Sequence, residues 1–249
     1  MIKLGLIGYP LGHSFSKTYY LDKFEKENIK GIDYDLYPIP SISEFCELYS
    51  NDSDFRGFNV TIPYKQDVLP LITEFSEEAK EIQAVNCITI NRDNGQIKLK
   101  GHNTDVYGFR KSIEPLLQPQ HKKALVLGNG GAAKAVFFAL KQLQIPYAIV
   151  SRSKENGDYT YDELSKEIIE DYTIIINCSP IGTYPNIENC PNIPYEYISN
   201  NHLLYDLIYN PVETLFLQKG KANGAAIKNG YEMLVLQAEK NWEIWSENF

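Results

Sequence analysis

The run LVLGNGGAA at positions 125–133 limits the possible folds more than any other feature of the sequence. An apolar segment ends there in a turn of small residues, and an alanine-rich helical pattern follows. Gly128 is expected to turn the chain, Gly130 to let the backbone approach a bound anion, and Ala133 to let the helix pack closely on the strand. Free N–H groups and the helix dipole at the helix start favour negative charge. The pattern predicts a turn that binds a dinucleotide pyrophosphate; a turn with a packing role alone is the alternative.

The predicted cofactor contacts extend from this turn to the end of the next strand. They are Gly128, Asn129, Gly130, Gly131, Ala132, Ser151, Arg152 and Ser153. That strand lacks the terminal Asp or Glu that usually accepts from the ribose 2′-hydroxyl of NAD. Arg152 can instead stack on adenine and pair with a 2′-phosphate, to which the two serines can donate. This favours NADP, although Arg152 could be a solvated loop charge.

Strand-like apolar runs alternate with helical runs along nearly all 249 residues. Repeated βα units predict an α/β fold with parallel sheets covered by helices on both faces. Strands are predicted at 2–7, 33–37, 57–61, 85–90, 97–101, 123–127, 147–151, 173–177, 203–207 and 225–228. Helices are predicted after Ser16, Ser41, Pro63 and Ser76, at 131–143, 161–169 and 212–219, and from Gly230. The DNG sequence at 93–95 predicts a hairpin.

Charge and composition exclude several classes of protein. Lys and Arg total 24 against 32 Asp and Glu, a net charge of −8, which argues against nonspecific nucleic-acid or anionic-membrane binding. No apolar run approaches the ~20 residues of a membrane span. The four cysteines lack CxxC spacing, so we expect reduced thiols and a cytoplasmic location. No metal site is expected, because His13, His102, His121 and His202 form no ligand-spaced cluster.

Polar clusters stand at several predicted strand ends in the first half. They are SFS at 14–16, NVTIPYK at 59–65, AVN at 84–86 and NTD at 103–105. Hydroxyls just before a helix can bind a carboxylate together with the N-terminal amides of that helix. Each cluster also has an ordinary interpretation: Ser14 or Asp105 as a helix cap, and Lys65 as a surface charge. His13 is a candidate base, but a turn-stabilising role is favoured.

Taken together, these clusters resemble the shikimate dehydrogenase family, which interconverts 3-dehydroshikimate and shikimate with NADP. The resemblance covers essentially the whole chain, continuing through INCSPIG at 176–182, DLIYNP at 206–211 and GYEMLVLQA at 230–238. It implies two α/β domains with the active site in the cleft between them. The substrate-binding domain would comprise residues 1–103 with a C-terminal helix at 233–249. Residues 104–232 would form a Rossmann-type, doubly wound NADP-binding domain.

The resemblance also implies roles for individual residues. Those expected to bind the substrate carboxylate are Ser14, Ser16 and Tyr209. Those expected to hold ring hydroxyls are Thr61, Asn86, Asp105 and Gln237. Those expected beside the nicotinamide are Leu207 and Gly230. The family's usual Asn-Arg-Thr after the second nucleotide-domain strand is Ser151-Arg152-Ser153 here. The stretch that follows has no evident second arginine, and Lys154 is the candidate substitute. Lys65 and Asp105 would form the catalytic pair in a step of chorismate and aromatic amino-acid biosynthesis.

The implied chemistry agrees with elementary principles. Reducing a ketone builds negative charge on oxygen, which a lysine ammonium can stabilise and protonate. The division of the proton transfer between Lys65 and Asp105 stays open. A quinate/shikimate dehydrogenase that uses NAD is one alternative, which Arg152 disfavours. A non-catalytic ligand sensor on the same fold is another, which the Lys–Asp pair disfavours. The sequence is also compatible with a homodimer.

Overall fold

Each half of the chain forms a six-stranded sheet within residues 1–12 and 14–249, which this computed structural model describes. The backbone separates into a first unit, residues 1–104 with 238–249, and a second unit, residues 105–237. Each unit has buried apolar clusters of its own. The α/β class that the alternating pattern predicts is confirmed.

The elements of the first unit alternate as the sequence suggests. Its strands are β1 (Ile2–Gly8), β2 (Ile32–Pro38), β3 (Phe55–Val60), β4 (Glu74–Phe75), β5 (Cys87–Asp93) and β6 (Gln96–His102). Its helices are α1 (Phe15–Lys26), α2 (Phe45–Asn51) and α3 (Glu77–Ile82).

The second unit continues the alternation. Its strands are β7 (Ala124–Leu127), β8 (Tyr147–Ser151), β9 (Tyr159–Thr160), β10 (Ile174–Asn177), β11 (Leu203–Asp206) and β12 (Ala226–Lys228). Its helices are α4 (Asp105–Ile113), α5 (Gly131–Gln142), α6 (Lys166–Asp171) and α7 (Leu215–Ala222). The last helix, α8 (Tyr231–Ser246), contributes residues 231–237 to the second unit and the remainder to the first.

The first sheet has the order β2-β1-β3-β5-β6-β4 and is mixed. β1 pairs in parallel with β2 and β3, whereas β5 runs antiparallel to β3 and β6. The predicted hairpin joins β5 to β6, with positive φ at Asn94 (50°) and Gly95 (78°). The parallel pairs agree with the βα repeats, and the predicted hairpin brings in the antiparallel neighbours.

Both faces of the first sheet are covered, because successive residues of a strand point to opposite sides. Leu4 and Leu6 of β1 join a buried cluster with Tyr20 of α1 and Trp245 of α8. Ile7 belongs to a different cluster, which includes residues of α2. A single strand thus connects two layers of apolar packing.

Trp245 packs directly on β3. Its indole is fully buried, and Nε1 donates to the Ile88 carbonyl at 3.0 Å. Gly57 lies beneath it, and a Cβ added there would overlap the indole ring. Ala238, two turns earlier on the buried side of α8, is also fully buried. Both residues belong to the buried cluster that includes Leu4 and Leu6 of β1.

The second sheet is parallel throughout, with the order β12-β11-β10-β7-β8-β9. The chain runs outward from β7 to β9 and then returns to the other side of β7 with β10. This is the doubly wound topology that the sequence predicts, with its switch point between β7 and β10. α5 buries Ala133, Val136, Ala139 and Leu140, which recur at helical spacing.

The helix predicted after Pro63 is wrong. Turns follow Pro63 instead, and then a short 3₁₀ segment at Leu69–Leu71. Pro70 lies within that segment. Its ring would clash with the preceding helical turn and it has no N–H to donate, so an α-helix cannot continue through it.

Two other predicted helices begin later than expected. The helix expected at 161–169 begins at Lys166, where the Ser165 side chain accepts from a first-turn N–H. The helix expected at 212–219 begins at Leu215, because Thr214 caps it in the same way. Each hydroxyl satisfies an N–H that has no partner inside the helix and so fixes its start.

Residues 1–12 and 14–249 lack the marks of a membrane protein and of a metalloprotein. None of the helices there combines the length and apolar character needed to cross a bilayer. The same residues contain no group of three or more His, Cys, Asp or Glu side chains arranged to hold a metal ion. The four cysteines are free thiols.

We predict that Gly57→Ala destabilises the first unit by roughly 1–3 kcal/mol, because the added methyl group must displace the Trp245 indole. Both tryptophans of the chain lie in α8, so fluorescence during urea unfolding reports on this packing. Gly12→Ala is the matched control, because no described atom lies within 4 Å of the added Cβ. Equal free energies of unfolding for the two variants would contradict the prediction.

Candidate functional site

The predicted cofactor turn begins where β7 ends. Gly128 has a φ of +108°, a conformation that glycine adopts without strain. Its N–H donates to the Val150 carbonyl at 2.9 Å, and the Leu127 carbonyl accepts from the Cys178 N–H at 2.9 Å. A Cβ on Gly128 would lie 3.3 Å from the Ser179 nitrogen. The turn is therefore held between the chain segments that end β8 and β10.

The start of α5 suits an anion. Gly130 immediately precedes the helix, and the first helical turn contains no acidic side chain. A Cβ on Gly130 or Gly131 would meet no described atom within 4 Å, so the backbone there borders open space. Exposed N–H groups and the helix dipole both favour negative charge at this position. These features fit the pyrophosphate of a dinucleotide.

A cavity of about 510 Å³ lies at the carboxyl ends of β7, β8 and β10. Its volume is within the usual range for small-molecule and cofactor sites. It adjoins the switch point, where doubly wound sheets generally bind ligands. The predicted cofactor residues that line it are Gly128, Asn129, Gly130, Ser151, Arg152 and Ser153. The predicted contacts in the first turn of α5 are Gly131 and Ala132.

The end of β8 forms the wall of this cavity that the sequence assigns to the ribose. The Ser151 hydroxyl donates to the Ser153 carbonyl and accepts from the Ser153 N–H at 3.2 Å. Its proton is therefore used within the loop and is not available to a ligand. The Ser153 hydroxyl accepts from Asn156 Nδ2 at 2.9 Å. Arg152 is exposed and lines the cavity.

Asn156 and Tyr161 also line the cavity, and the sequence did not single them out. Burial raises the pKa of Tyr161, while the nearby Arg152 charge acts in the opposite direction. Both residues belong to the segment between β8 and α6. Its irregular structure gives no periodic pattern from which these contacts could have been found.

A buried polar network supports the loops beside the cavity. Asp206, at the end of β11, is fully buried and accepts from Asn177 Nδ2 at 3.0 Å. It also accepts from the Ile208 N–H at 3.1 Å and from the Thr214 hydroxyl at 2.6 Å. The Asn177 carboxamide oxygen accepts from the N–H and the hydroxyl of Ser179. One carboxylate thus ties together the loops that follow β10 and β11.

The pKa of the Asp206 carboxyl is raised to about 6, chiefly because burial penalises its charged form. The hydrogen bonds from Thr214, Ile208 and Asn177 act in the opposite direction. No role was predicted for Asp206 or Asn177 from the sequence. A polar residue that ends an otherwise apolar strand is the signal that could have identified them.

A smaller cavity, of about 330 Å³, follows β10 and β11. It is lined in part by Leu207 and Tyr209, two of the predicted site residues. Gly230 lies against it: its N–H donates to the Ile208 carbonyl at 3.1 Å, and an added Cβ would overlap the Leu207 carbonyl oxygen. Leu207 and Gly230 are thus neighbours, as their shared predicted role requires.

In the first unit, a chain of buried hydrogen bonds links α1 to the strand ends. The Tyr34 hydroxyl donates to the Asn59 carboxamide oxygen at 2.8 Å and is hydrogen-bonded to Ser16. Asn59 Nδ2 donates to the Asn86 carbonyl at 3.2 Å. The Val85 N–H donates to the backbone carbonyl of Lys65 at 2.8 Å. Ser16, Lys65 and Asn86 are therefore connected through this network and its neighbouring backbone.

Asn86 also has a structural role. Its carboxamide oxygen accepts from the Thr104 N–H at 2.8 Å, and its Nδ2 donates to the Thr104 hydroxyl at 3.0 Å. That hydroxyl donates in turn to the Asn241 carboxamide oxygen on α8 at 2.6 Å. All three side chains are buried, so the network joins α8 to the segment that follows β6.

The remaining predicted residues lie as follows. Ser14 precedes α1 without capping it through its side chain, and Thr61 follows β3, where its N–H donates to the Ile7 carbonyl. In the second unit, Asp105 is the first residue of α4, and Gln237 is buried on α8. The predicted substrate contacts are thus divided between the units. His13 lies outside the described residues.

The fold and the larger cavity together define a dinucleotide-binding protein of the doubly wound α/β class, carrying a second α/β unit. A family model described as the shikimate dehydrogenase substrate binding domain matches residues 6–88. The curated shikimate dehydrogenase (NADP(+)) of Caldanaerobacter subterraneus is 36% identical over 261 residues, covering 98% of this chain and 91% of that protein.

Solved structures of shikimate dehydrogenases are also similar to this chain. A chorismate mutase/shikimate 5-dehydrogenase fusion protein from Clostridium acetobutylicum is similar with a TM-score of 0.85 at 36% identity, covering 99% of this chain and 91% of that chain. Shikimate 5-dehydrogenase from Thermus thermophilus, solved with NADP(H) and shikimate, has a TM-score of 0.85 at 27% identity, covering 99% and 94%. The chain belongs to the shikimate dehydrogenase family.

We predict that Asp206→Asn becomes more stable relative to the parent protein as the pH rises from about 4 to about 7. The unfolded chain releases the Asp206 proton above about pH 4, whereas the folded parent keeps it up to about pH 6. This difference in proton binding stabilises the folded parent at low pH, and the stabilisation is lost as pH rises through about 6. The asparagine does not titrate. The expected change in the difference between the two proteins is roughly 3 kcal/mol.

Urea unfolding followed by circular dichroism across this pH range measures the difference. His102, whose pKa burial lowers to about 4, has the opposite pH dependence, but it is present in both proteins and cancels. A difference between variant and parent that does not vary with pH would contradict the prediction.

Proposed function

We propose that this protein catalyses the reversible NADPH-dependent reduction of 3-dehydroshikimate to shikimate, a step in chorismate and aromatic amino-acid biosynthesis. The observation that carries the proposal is the cavity at the switch point of the second sheet, with Arg152 on its ribose wall, in a chain of this family. When bound, NADPH supplies a hydride to the substrate carbonyl carbon. The side chains and backbone of the chain must bind and orient the substrate and the cofactor and transfer the proton.

Support for NADP comes from the donor set at the end of β8. Arg152 is a permanent cation with a planar fork of N–H groups, which matches the geometry of a phosphate. Ser153 adds a hydroxyl beside it. The described cavity lining contains no carboxylate that would bind a ribose 2′-hydroxyl and repel a 2′-phosphate. The pyrophosphate is assigned to the backbone N–H groups at Gly130 and Gly131.

The substrate is a small polyhydroxylated carboxylic acid, so its site must offer hydroxyl, amide and charged groups. We assign its carboxylate to Ser14, Ser16 and Tyr209. We assign its ring hydroxyls to Thr61, Asn86, Asp105 and Gln237. Such a site rejects analogues that lack a hydroxyl, because its own buried polar groups would then lose their partners. Leu207 and Gly230 are assigned to the nicotinamide side through their backbone.

We assign the proton transfer to Lys65 and Asp105. As the carbonyl is reduced, negative charge builds on its oxygen; the Lys65 ammonium stabilises that charge and donates a proton to the oxygen. In the reverse direction the neutral amine of Lys65 accepts the hydroxyl proton. Asp105 holds the reacting hydroxyl and orients it towards Lys65. One proton therefore enters or leaves for each hydride transferred, and the products are shikimate and NADP⁺.

This function assigns roles to the predicted domains. Residues 1–103 with the C-terminal helix 233–249 would bind the substrate, and residues 104–232 would bind NADP. The partners are then the cofactor and a small-molecule substrate. A homodimer and a cytoplasmic location are part of the same proposal.

We predict that Lys65→Ala lowers kcat for shikimate oxidation by NADP⁺ at least ~100-fold, the usual contribution of a positioned acid or base. The Kd for NADP⁺ should change less than about twofold, because no cofactor contact is assigned to Lys65. Steady-state rates and calorimetric titration measure the two quantities. Lys166→Ala, which removes an exposed lysine paired only loosely with Glu170, is the control. An unchanged kcat with a raised KM would show that Lys65 binds substrate without transferring a proton.

A further inference from the structure

The segment that follows β8 differs from what the sequence suggested for Lys154. The Lys154 ammonium donates to both carboxylate oxygens of Glu163, at 2.9 and 3.0 Å, and to the Asp158 carbonyl at 2.6 Å. It also lies 5.5 Å from the centre of the Tyr159 ring. These contacts hold the ammonium on the β9 side of the loop, and Lys154 is not part of the cavity lining.

Arg152 is consequently the one cation among the described residues that line the cavity. Discrimination between a 2′-phosphate and a 2′-hydroxyl then depends on this guanidinium together with neutral hydrogen-bond donors. The position of each donor matters more where a second cation does not contribute. Ser153 is the hydroxyl donor on this wall, because the Ser151 proton is already donated to the Ser153 carbonyl.

Asn156 determines whether the Ser153 hydroxyl acts as a hydrogen-bond donor or acceptor towards the cavity. Asn156 Nδ2 donates to Ser153 Oγ at 2.9 Å, so the hydroxyl is used as an acceptor on that side. Its proton is left to donate elsewhere. The Asn156 backbone is fixed as well: its N–H donates to the Ser153 carbonyl at 3.1 Å, and its carbonyl accepts from Asn129 Nδ2 at 3.0 Å. Asn129 belongs to the glycine-rich turn, so Asn156 joins two walls of the cavity.

Nearby contacts hold this segment on β8. The Asp158 N–H donates to the Ile149 carbonyl at 2.8 Å, and the Asp158 carboxylate accepts from the Ile149 N–H at 2.8 Å. Gly157 allows this approach, because a Cβ there would lie 2.8 Å from the Ile149 carbonyl oxygen. The backbone of Asn156 is therefore anchored independently of its own side chain.

We propose that Asn156 is a positioning residue for cofactor choice: it orients the Ser153 hydroxyl so that the proton is donated to the 2′-phosphate of NADP. The inference rests on the proposed function, since it concerns the same cofactor cavity. A hydroxyl bonds a phosphate oxygen more strongly than a neutral ribose hydroxyl, because the acceptor is charged. Asn156 therefore contributes to NADP binding and hardly at all to NAD binding.

Calorimetric titration of the full-length protein with NADP⁺ and, separately, with NAD⁺ tests the proposal. Asn156→Ala should raise the Kd for NADP⁺ about three- to tenfold, the range for one hydrogen bond, and the Kd for NAD⁺ less than about twofold. Ser153→Ala should have the same selective effect. In the double variant the NADP⁺ effect should match that of Ser153→Ala alone, because Asn156 acts through Ser153.

Two further variants make the test specific. Asn156→Asp should weaken NADP⁺ binding more than Asn156→Ala does, because the carboxylate takes the Ser153 proton and repels the phosphate. Asn223→Ala is the matched control: it removes an exposed asparagine of the second unit whose Nδ2 donates to a backbone carbonyl, that of Lys219, at 2.9 Å, and not to a group that lines the cavity. Neither Kd should change in the control.

The outcomes distinguish failure of the Asn156 role from failure of the proposed function. Equal weakening of NADP⁺ and NAD⁺ by Asn156→Ala would overturn the inference, because it would assign Asn156 a purely structural role in the loop. Additive effects of the Asn156 and Ser153 substitutions would overturn it as well. If the parent protein bound neither cofactor, the proposed function itself would fail; selective NADP⁺ binding that survives Asn156→Ala would remove this inference alone.

Discussion

The close approach of three backbone segments at Gly128 is the constraint on which the cofactor cavity depends. Gly128 bonds to the end of β8, while the residue before it bonds to the chain leaving β10. Its φ of +108° and the 3.3 Å between its missing Cβ and the Ser179 nitrogen leave room only for glycine. Because the strand ends are held this closely, the start of α5 lies at the sheet edge and its free N–H groups border the cavity.

The Asp206 network provides the second support for that edge. A carboxylate buried at a strand end is costly, and its pKa is raised to about 6 for that reason. Its carboxylate oxygens accept hydrogen bonds from Asn177, Ile208 and Thr214. These residues lie at the end of β10 and in the loop that follows β11, beside the two cavities of the second unit. Geometry is thus maintained at the expense of stability near neutral pH, a pattern common beside binding sites.

The sequence predicted the features that depend on local chemistry. The glycine turn and the hairpin follow from residues close together in the chain, and the structure confirms them. The doubly wound order of the second sheet, which the family resemblance implied, is confirmed as well. Helix starts at Lys166 and Leu215 were missed, because competing caps at Ser165 and Thr214 cannot be ranked without the backbone. The diversion of Lys154 to Glu163 and the Asn86–Thr104–Asn241 network depend on tertiary contacts that no spacing rule encodes. The roles of Lys65, Asp105 and the substrate-binding residues remain predictions.

The most direct test of the account is the rate at which the purified protein reduces NADP⁺ and NAD⁺ in the presence of shikimate, followed by the absorbance of the reduced nicotinamide. We expect turnover that saturates with shikimate, with a clearly higher kcat/KM for NADP⁺ because Arg152 and Ser153 bind its 2′-phosphate. Shikimate binding without turnover by either cofactor would contradict it and indicate a ligand sensor. A preference for NAD⁺ would contradict the assignment of the ribose wall.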